Sequence, residues 1–321
     1  MRIGIDLGGT NISGGIVNID GKILTSYSIP TEVDKGSNKI IENIVSVIRH
    51  LIAKKNSNQE LHSIGIGVPG IVDKKGVVLE CVNLNWRNVP LKKIIEEETG
   101  YNTYLANDAT VAALAEASFG SLMDIDTGVL ITLGTGVGGG YIINGKMMTS
   151  PNGLASEIGH MVVGNNNVRC NCGRIGCLET YTSSTALIRN AKIEIINAPH
   201  ELIAVSKFHR DYYKNLNEIT GKIIFQYAKD NDPIAYKVVD DLAKYLAIGI
   251  GNLIALIDPQ VISIGGGLSK AGDFLISVLS KKLESERIFK SLSPPLIKLA
   301  KLHNDAGIIG AAFIDKYVEK N

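Results

Sequence analysis

The segment Cys170-Asn171-Cys172-Gly173-Arg174-Ile175-Gly176-Cys177 crowds three thiols together, with glycines that permit sharp turns. That pattern suits tetrahedral thiolate coordination of Zn²⁺. A fourth ligand is needed, and His160 in Glu157-Ile158-Gly159-His160 is the nearest upstream candidate. Redox chemistry favours Cys-x-x-Cys, which the segment lacks; reduced bystander thiols are the plainer alternative. Glu157 and Glu179 flank the segment, and a metal clip between them would hold both carboxylates in place, as a rigid binding site for a polar ligand requires. With one His160 nitrogen on the metal, the other would face the ligand.

Two glycine-rich stretches, Asp6-Leu7-Gly8-Gly9-Thr10 and Leu133-Gly134-Thr135-Gly136, each follow an apolar run. Tight glycine turns let backbone N–H groups approach phosphate oxygens, and a threonine hydroxyl adds a donor; hairpins built only for turn geometry are the alternative. Asp6, at a strand end, is suited to hold the hydration shell of Mg²⁺. Asn107-Asp108 follows Tyr104-Leu105-Ala106 and opens an alanine-rich helix. Asp108 reads as the N-cap, or as a carboxylate able to accept the proton of an attacking hydroxyl. Two nucleotide signatures fail. Gly140 to Met147 approaches the P-loop pattern but puts Met147 where a magnesium-binding hydroxyl belongs. Gly134-x-Gly136-x-x-Gly139 is followed by a strand and an Asn-Gly turn, not by the helix a dinucleotide site needs.

The elements that must position these groups follow from periodicity. Arg2–Leu7 alternates as a strand, then Ile12–Ile19, a two-residue hairpin at Asp20-Gly21, and Lys22–Ile29. Gly128–Leu133, the glycine loop, Tyr141–Ile143 and Asn144-Gly145 repeat the design, which points to an internal duplication with an α/β domain on each copy. Helices are expected over Lys39–Ala53, Leu91–Thr99 (stopped by Gly100) and Ala109–Ser118, through most of 184–250, and over Ala306–Lys320. Strands are expected over His62–Val68 and Val261–Ile264, the latter running into Gly265-Gly266-Gly267. No segment reads as a flexible linker, so two domains in contact, with a cleft, are expected: 1–107 plus 303–321, and 108–302.

The 321 residues are 45% apolar and 20% charged, with net charge +1. Near-neutrality gives no electrostatic footprint for nucleic acid or an anionic membrane. The most apolar stretch, Tyr245–Ile257, is too short to span a bilayer, and the early Asp6 leaves no apolar core for a secretory signal. With four cysteines, a disulfide scaffold is not expected and a cytoplasmic location is. Cys81 reads as core; His50, His62, His200, His209 and His303 read as surface or satisfied positions.

Together, Asp6-Leu7-Gly8-Gly9-Thr10, Asn107-Asp108-Ala109, Leu133 to Gly140, Glu157-Ile158-Gly159-His160 and the cysteine run ending at Glu179 resemble the ROK family (repressors, open reading frames, kinases), with Gly265-Gly266-Gly267 continuing the match. Asn83-Leu84-Asn85-Trp86 resembles its bacterial ATP-dependent glucokinase branch in particular. The resemblance implies an α/β fold of actin/hexokinase-like (ribonuclease H-like) type, two domains closing on ATP and a hexose. It implies Asp108 as catalytic base, and Asn107, Glu157, His160 and Glu179 as sugar ligands, with Gly70 and Asn83 as additions. It further implies phosphate contacts at Gly8, Thr10, Thr135 and Gly136, with Gly9 in the same loop, and adenosine contacts at Gly266 and Gly267. His160, Cys170, Cys172 and Cys177 would hold a structural zinc. A homodimer or homotetramer is expected. N-acetylmannosamine kinase or fructokinase is the rival within the family, and a sugar-responsive repressor or a non-catalytic sensor the rival outside catalysis.

Overall fold

The computed structural model describes residues 1–55, 60–148, 154 and 157–318. It opens with β1 (Arg2–Leu7), β2 (Asn11–Val17) and β3 (Ile23–Pro30), an antiparallel meander. Helix α1 (Ser37–Lys54) follows, then β4 (Ser63–Val68). A small three-stranded sheet of β5 (Ile71–Val72), β6 (Val78–Cys81) and β7 (Trp86–Val89) precedes α2 (Leu91–Thr99), β8 (Thr103–Asn107) and α3 (Asp108–Phe119). The main sheet has the order β3-β2-β1-β4-β8. Its strand β4 is buried along its whole length, as expected of a parallel strand covered on both faces.

The pattern then repeats with β9 (Gly128–Leu133), β10 (Val137–Ile143) and β11 (Lys146–Met147). Among the described residues six further α-helices intervene: α4 (Glu179–Thr182), α5 (Ser184–Ile196), α6 (His200–Val205), α7 (Lys207–Tyr212), α8 (Gly221–Lys229) and α9 (Pro233–Ile257). The apolar stretch at Tyr245–Ile257 is the end of α9, which stops at Asp258. Then come β12 (Val261–Gly265), α10 (Asp273–Leu283), β13 (Leu296–Leu299), α11 (Ala306–Ala312) and α12 (Asp315–Val318). The second sheet has the order β11-β10-β9-β12-β13, the same sequence of first to fifth strands as the first sheet. Among the described residues no helix is long and apolar enough to cross a membrane.

The two hairpins of the repeat differ in detail. At Asn144-Gly145 both residues have positive φ, 53° and 69°, the two-residue turn expected of an Asn-Gly pair. At Asp20-Gly21 only Gly21 does, and the loop closes one step further out, from Asn18 N to Lys22 O at 3.0 Å. The Asn18 side chain decides this, because its oxygen accepts from the amides of Asp20 (3.1 Å) and Lys22 (2.8 Å). The expected two-residue turn there is thus replaced by a three-residue one.

The chain divides into two compact units: Met1–Leu130 with Gly140–Ser156 and Ala300–Asn321, and Ile131–Gly139 with Glu157–Leu299. The division expected from sequence put everything from Asp108 to 302 in the second domain; here α3 stays with the first. Its partner is α11, whose Gly310 lies so close to α3 that an added Cβ would sit 1.9 Å from Val111 O. Glu116, fully buried on α3, reinforces the tie. One carboxylate oxygen accepts from Ser121 N and Oγ (2.6 and 2.7 Å), the other from the amides of Lys301 and Leu302 (2.9 and 2.7 Å).

Small residues let α11 lie equally close to the sheet. A Cβ on Gly65 of β4 would fall 1.7 Å from Ala311 O, an overlap only backbone movement relieves. Gly65→Ala is therefore expected to cost about 3 kcal/mol or more, read as a lower denaturation midpoint at unchanged m. A midpoint within error of the wild type would mean that α11 does not pack this closely.

Candidate active site

In the first unit, β1, β4 and β8 run parallel, and their register aligns Asp6 with Gly67 and Val68 with Asn107. Asp6, the Pro69-Gly70 turn and Asn107-Asp108 therefore all lie at the carboxyl ends of neighbouring strands, the edge where parallel sheets hold their ligands. Asn107 caps α3: its side-chain oxygen accepts from Ala109 N (3.0 Å) and Thr110 N (3.2 Å), while its Nδ2 donates to Gly70 O at 3.3 Å. The expectation that Asp108 is the N-cap is corrected by this geometry. Asp108 is the first helical residue, half-buried, with Oδ1 accepting from Ala109 N at 2.8 Å. Cys81 is core, as expected; its thiol donates to Pro69 O at 3.1 Å, and burial pushes it up to about 11.

The first glycine loop is held by the buried Thr31, whose hydroxyl donates to Gly8 O (2.7 Å) and whose amide donates to Thr10 O (2.8 Å). In a trans peptide the C=O and the following N–H point opposite ways. Fixing the Gly8 carbonyl therefore fixes the Gly9 N–H. Asn83 lies beside this loop, its Cβ 3.9 Å from the position a Cβ on Gly9 would take. Asp6 abuts Gly307, where an added Cβ would stand 2.6 Å from the Asp6 Cγ. It lines an open cavity of about 750 Å³ with Ser13, Ser28, Asn304 and Asp305. Asn304 and Asp305 were not singled out from sequence; the Asn-Asp-Ala-Gly run opening the last helices is the signal that would have found them.

In the second unit, Gly134–Gly136 forms a loop one residue tighter. Gly134 N donates to Gly136 O at 2.9 Å, whereas Gly8 N reaches one residue further, to Asn11 O. Glu179 Oε2 accepts from Val137 N at 3.0 Å. Gly266 backs onto the end of β9, where an added Cβ would meet Leu133 N and O at 2.6 Å, so Gly266-Gly267 begins beside the strand that feeds the loop.

The cysteine segment folds on itself through the Arg169–Ile175 bridge and a Cys170 N to Arg174 O bond of 2.8 Å; a Val162–Cys177 bridge draws in the chain just past His160. Ligand atoms of His160, Cys170, Cys172 and Cys177 come within 4.8 Å of one another. Cys172 Sγ and Cys177 Sγ are 3.6 Å apart, and Cys170 Sγ is 3.4 Å from His160 Nδ1. Bonds of about 2.3 Å to sulfur and about 2.0 Å to nitrogen at tetrahedral angles separate ligand atoms by about 3.5–3.8 Å, so the donor set fits one Zn²⁺. The other imidazole nitrogen, Nε2, is 3.8 Å from Glu157 Oε2. Burial raises the Glu157 carboxyl above its ordinary range, with Glu179 adding to the rise and His160 opposing it.

Two sheets of one strand order, each with a glycine loop after its first strand, define the actin/hexokinase-like class of fold. Residues 2–317 match the ROK family, and the chain belongs to it. A glucokinase of Halalkalibacterium halodurans is 37% identical over 322 residues, which span 99% of this chain and 96% of that protein. An N-acetyl-D-glucosamine kinase of Histophilus somni is 31% identical across 97% of this chain and 98% of its own length. The crystal structure of a ROK family glucokinase from Streptomyces griseus, in complex with glucose and AMPPNP, superimposes with a TM-score of 0.81 at 34% identity, covering 99% of each chain.

Burial raises the Asp6 carboxyl above its usual 3.8. A group raised on folding contributes stability below its unfolded value that is lost as pH climbs through the folded one. Asp6→Asn is therefore expected to melt higher than the wild type at pH 7, with the difference gone below about pH 3.8, while activity falls. Equal melting temperatures across that window would contradict a half-buried carboxylate raised by desolvation.

Proposed function

We propose that this chain transfers the γ-phosphoryl group of ATP to the 6-hydroxyl of glucose, giving glucose 6-phosphate and ADP. The observation that carries this reading is the placement of Asp108 in the first turn of α3, at the carboxyl edge of the parallel strands. A helix N-terminus favours the ionised form, and an ionised carboxylate there can accept a proton. Asp108 orients the 6-hydroxyl and takes its proton as O6 bonds to the γ-phosphorus; the bond to the β–γ bridging oxygen breaks and ADP leaves. The chemistry asks the protein mainly for position and charge neutralisation. Backbone amides of Gly8, Gly9 and Thr10, and of Thr135 and Gly136, meet the phosphates, and Asp6 holds the hydrated Mg²⁺. Gly266 and Gly267 meet the adenosine. Sugar hydroxyls are taken by Asn107, Glu157, His160 and Glu179, with Gly70 and Asn83 beside them.

The Cys170–Cys172–Cys177–His160 set holds a structural Zn²⁺ through His160 Nδ1, which leaves Nε2 for the sugar side. The reading includes a cytoplasmic enzyme at the entry to glycolysis that self-associates as a dimer or tetramer; exposed Leu256, Phe289 and Leu292 on the second unit support a further surface. An N-acetylhexosamine kinase is the second reading, favoured by the similarity to an N-acetyl-D-glucosamine kinase. A coupled ADP assay across glucose, mannose, fructose, N-acetylglucosamine and N-acetylmannosamine separates the two. Glucose should give the highest kcat/KM, and a preference for either N-acetylated sugar would replace the first reading by the second.

Asp108→Asn is expected to lower kcat by roughly 10²–10⁴-fold with glucose binding retained; an unchanged kcat would remove Asp108 from the chemistry. Cys172→Ser should abolish bound zinc by elemental analysis and weaken glucose binding severalfold. Full glucose affinity in the metal-free variant would show that the clip does not position the sugar ligands.

A further inference from the structure

Glu179 stands among the sugar ligands proposed above, yet its side chain ends on the second glycine loop. Its Oε2 accepts from Val137 N at 3.0 Å, and its Oε1 lies 3.6 Å from Cys170 Sγ. Gly136 makes the approach possible, because a Cβ there would stand 2.4 Å from Oε2. The same stretch of chain keeps hold of the loop further on. Ser184 N donates to Gly134 O at 2.8 Å, and Thr185 Oγ1 donates to Thr135 O at 3.0 Å.

Each of these bonds sets a peptide plane. Holding the carbonyls of Gly134 and Thr135 aims the N–H groups of Thr135 and Gly136 the opposite way, and those are the amides assigned to phosphate. Glu179 holds the next plane through Val137 N. That plane carries the Gly136 carbonyl, which in turn accepts from Gly134 N at 2.9 Å. The loop is thus closed and oriented from a single segment, Cys170 to Thr185, with one carboxylate at its centre.

We propose that Glu179 is a positioning residue for the nucleotide-phosphate loop, so that the cysteine-clipped segment sets nucleotide affinity as well as sugar geometry. The inference rests on the ATP reading above. It separates two roles that a carboxylate at this position could have. As a sugar ligand alone, Glu179 would not matter to a nucleotide bound without sugar. As the acceptor for Val137 N, it matters there, and a glutamine oxygen can replace it.

The test is calorimetric binding of Mg²⁺·AMP-PNP in the absence of sugar, to the zinc-loaded wild type, Glu179→Ala and Glu179→Gln. Losing the side-chain acceptor of a part-buried amide is expected to weaken the alanine variant by about tenfold or more, while glutamine stays within about threefold of the wild type. If the alanine chain fails to fold, Glu179→Asp, one methylene short of Val137 N, reads the same effect. An alanine or aspartate variant that binds the analogue as tightly as the wild type would overturn the inference, as would a glutamine variant no better than alanine. A wild type with no affinity for the analogue would overturn the kinase reading and this inference with it.

Discussion

The carboxamide of Asn107 is the interaction on which the arrangement around Asp108 depends. Its oxygen closes the first turn of α3 on Ala109 N and Thr110 N, and its nitrogen reaches Gly70 O. Strand end, helix start and the Pro69-Gly70 turn are thereby tied at one point. A catalytic carboxylate needs its position fixed to a fraction of an ångström, and a side chain on the first helical residue gets that from the cap before it. The capping task falls to Asn107, which leaves Asp108, the proposed base, as the first helical residue at the helix's positive end. From behind, α11 and the Glu116 network hold the same helix against the sheet.

Each sheet places a glycine loop after its first strand, and in each the loop carbonyls are engaged by donors from elsewhere in the same unit. Thr31 does this for the first loop; Ser184 and Thr185 do it for the second. A triphosphate is bound well by backbone amides only if they are oriented beforehand, because loops that must reorganise lose affinity to ordering. Behind the second loop stands the Glu179 carboxylate, which lies next to the converging His160, Cys170, Cys172 and Cys177 side chains.

Local signals were legible in the sequence. Leu91–Thr99 is a helix ended by Gly100, as the apolar spacing and the glycine stop required. The strand–glycine loop–strand repeat reappears as two sheets of the same order. The cysteine run reads as a metal cluster because its spacing is short enough to constrain geometry, and its side chains do converge. What stayed hidden depends on competition between neighbours or on distance along the chain. Asn107 and Asp108 are both good caps, and only the backbone decides which one serves. At Asp20-Gly21 the Asn18 side chain outcompetes the tighter turn. The Glu179–Val137 bond joins residues far apart in sequence, and no periodicity announces it. The assignment of α3 to the first unit arises the same way, from its packing on α11 near the other end of the chain.

A crystal structure with glucose and a non-hydrolysable ATP analogue tests the central claim most directly. An Asp108 carboxylate oxygen should lie within about 2.6–3.2 Å of the glucose O6, with O6 in line with the γ-phosphorus. A carboxylate turned away from the hexose, with another group on O6, would contradict the account.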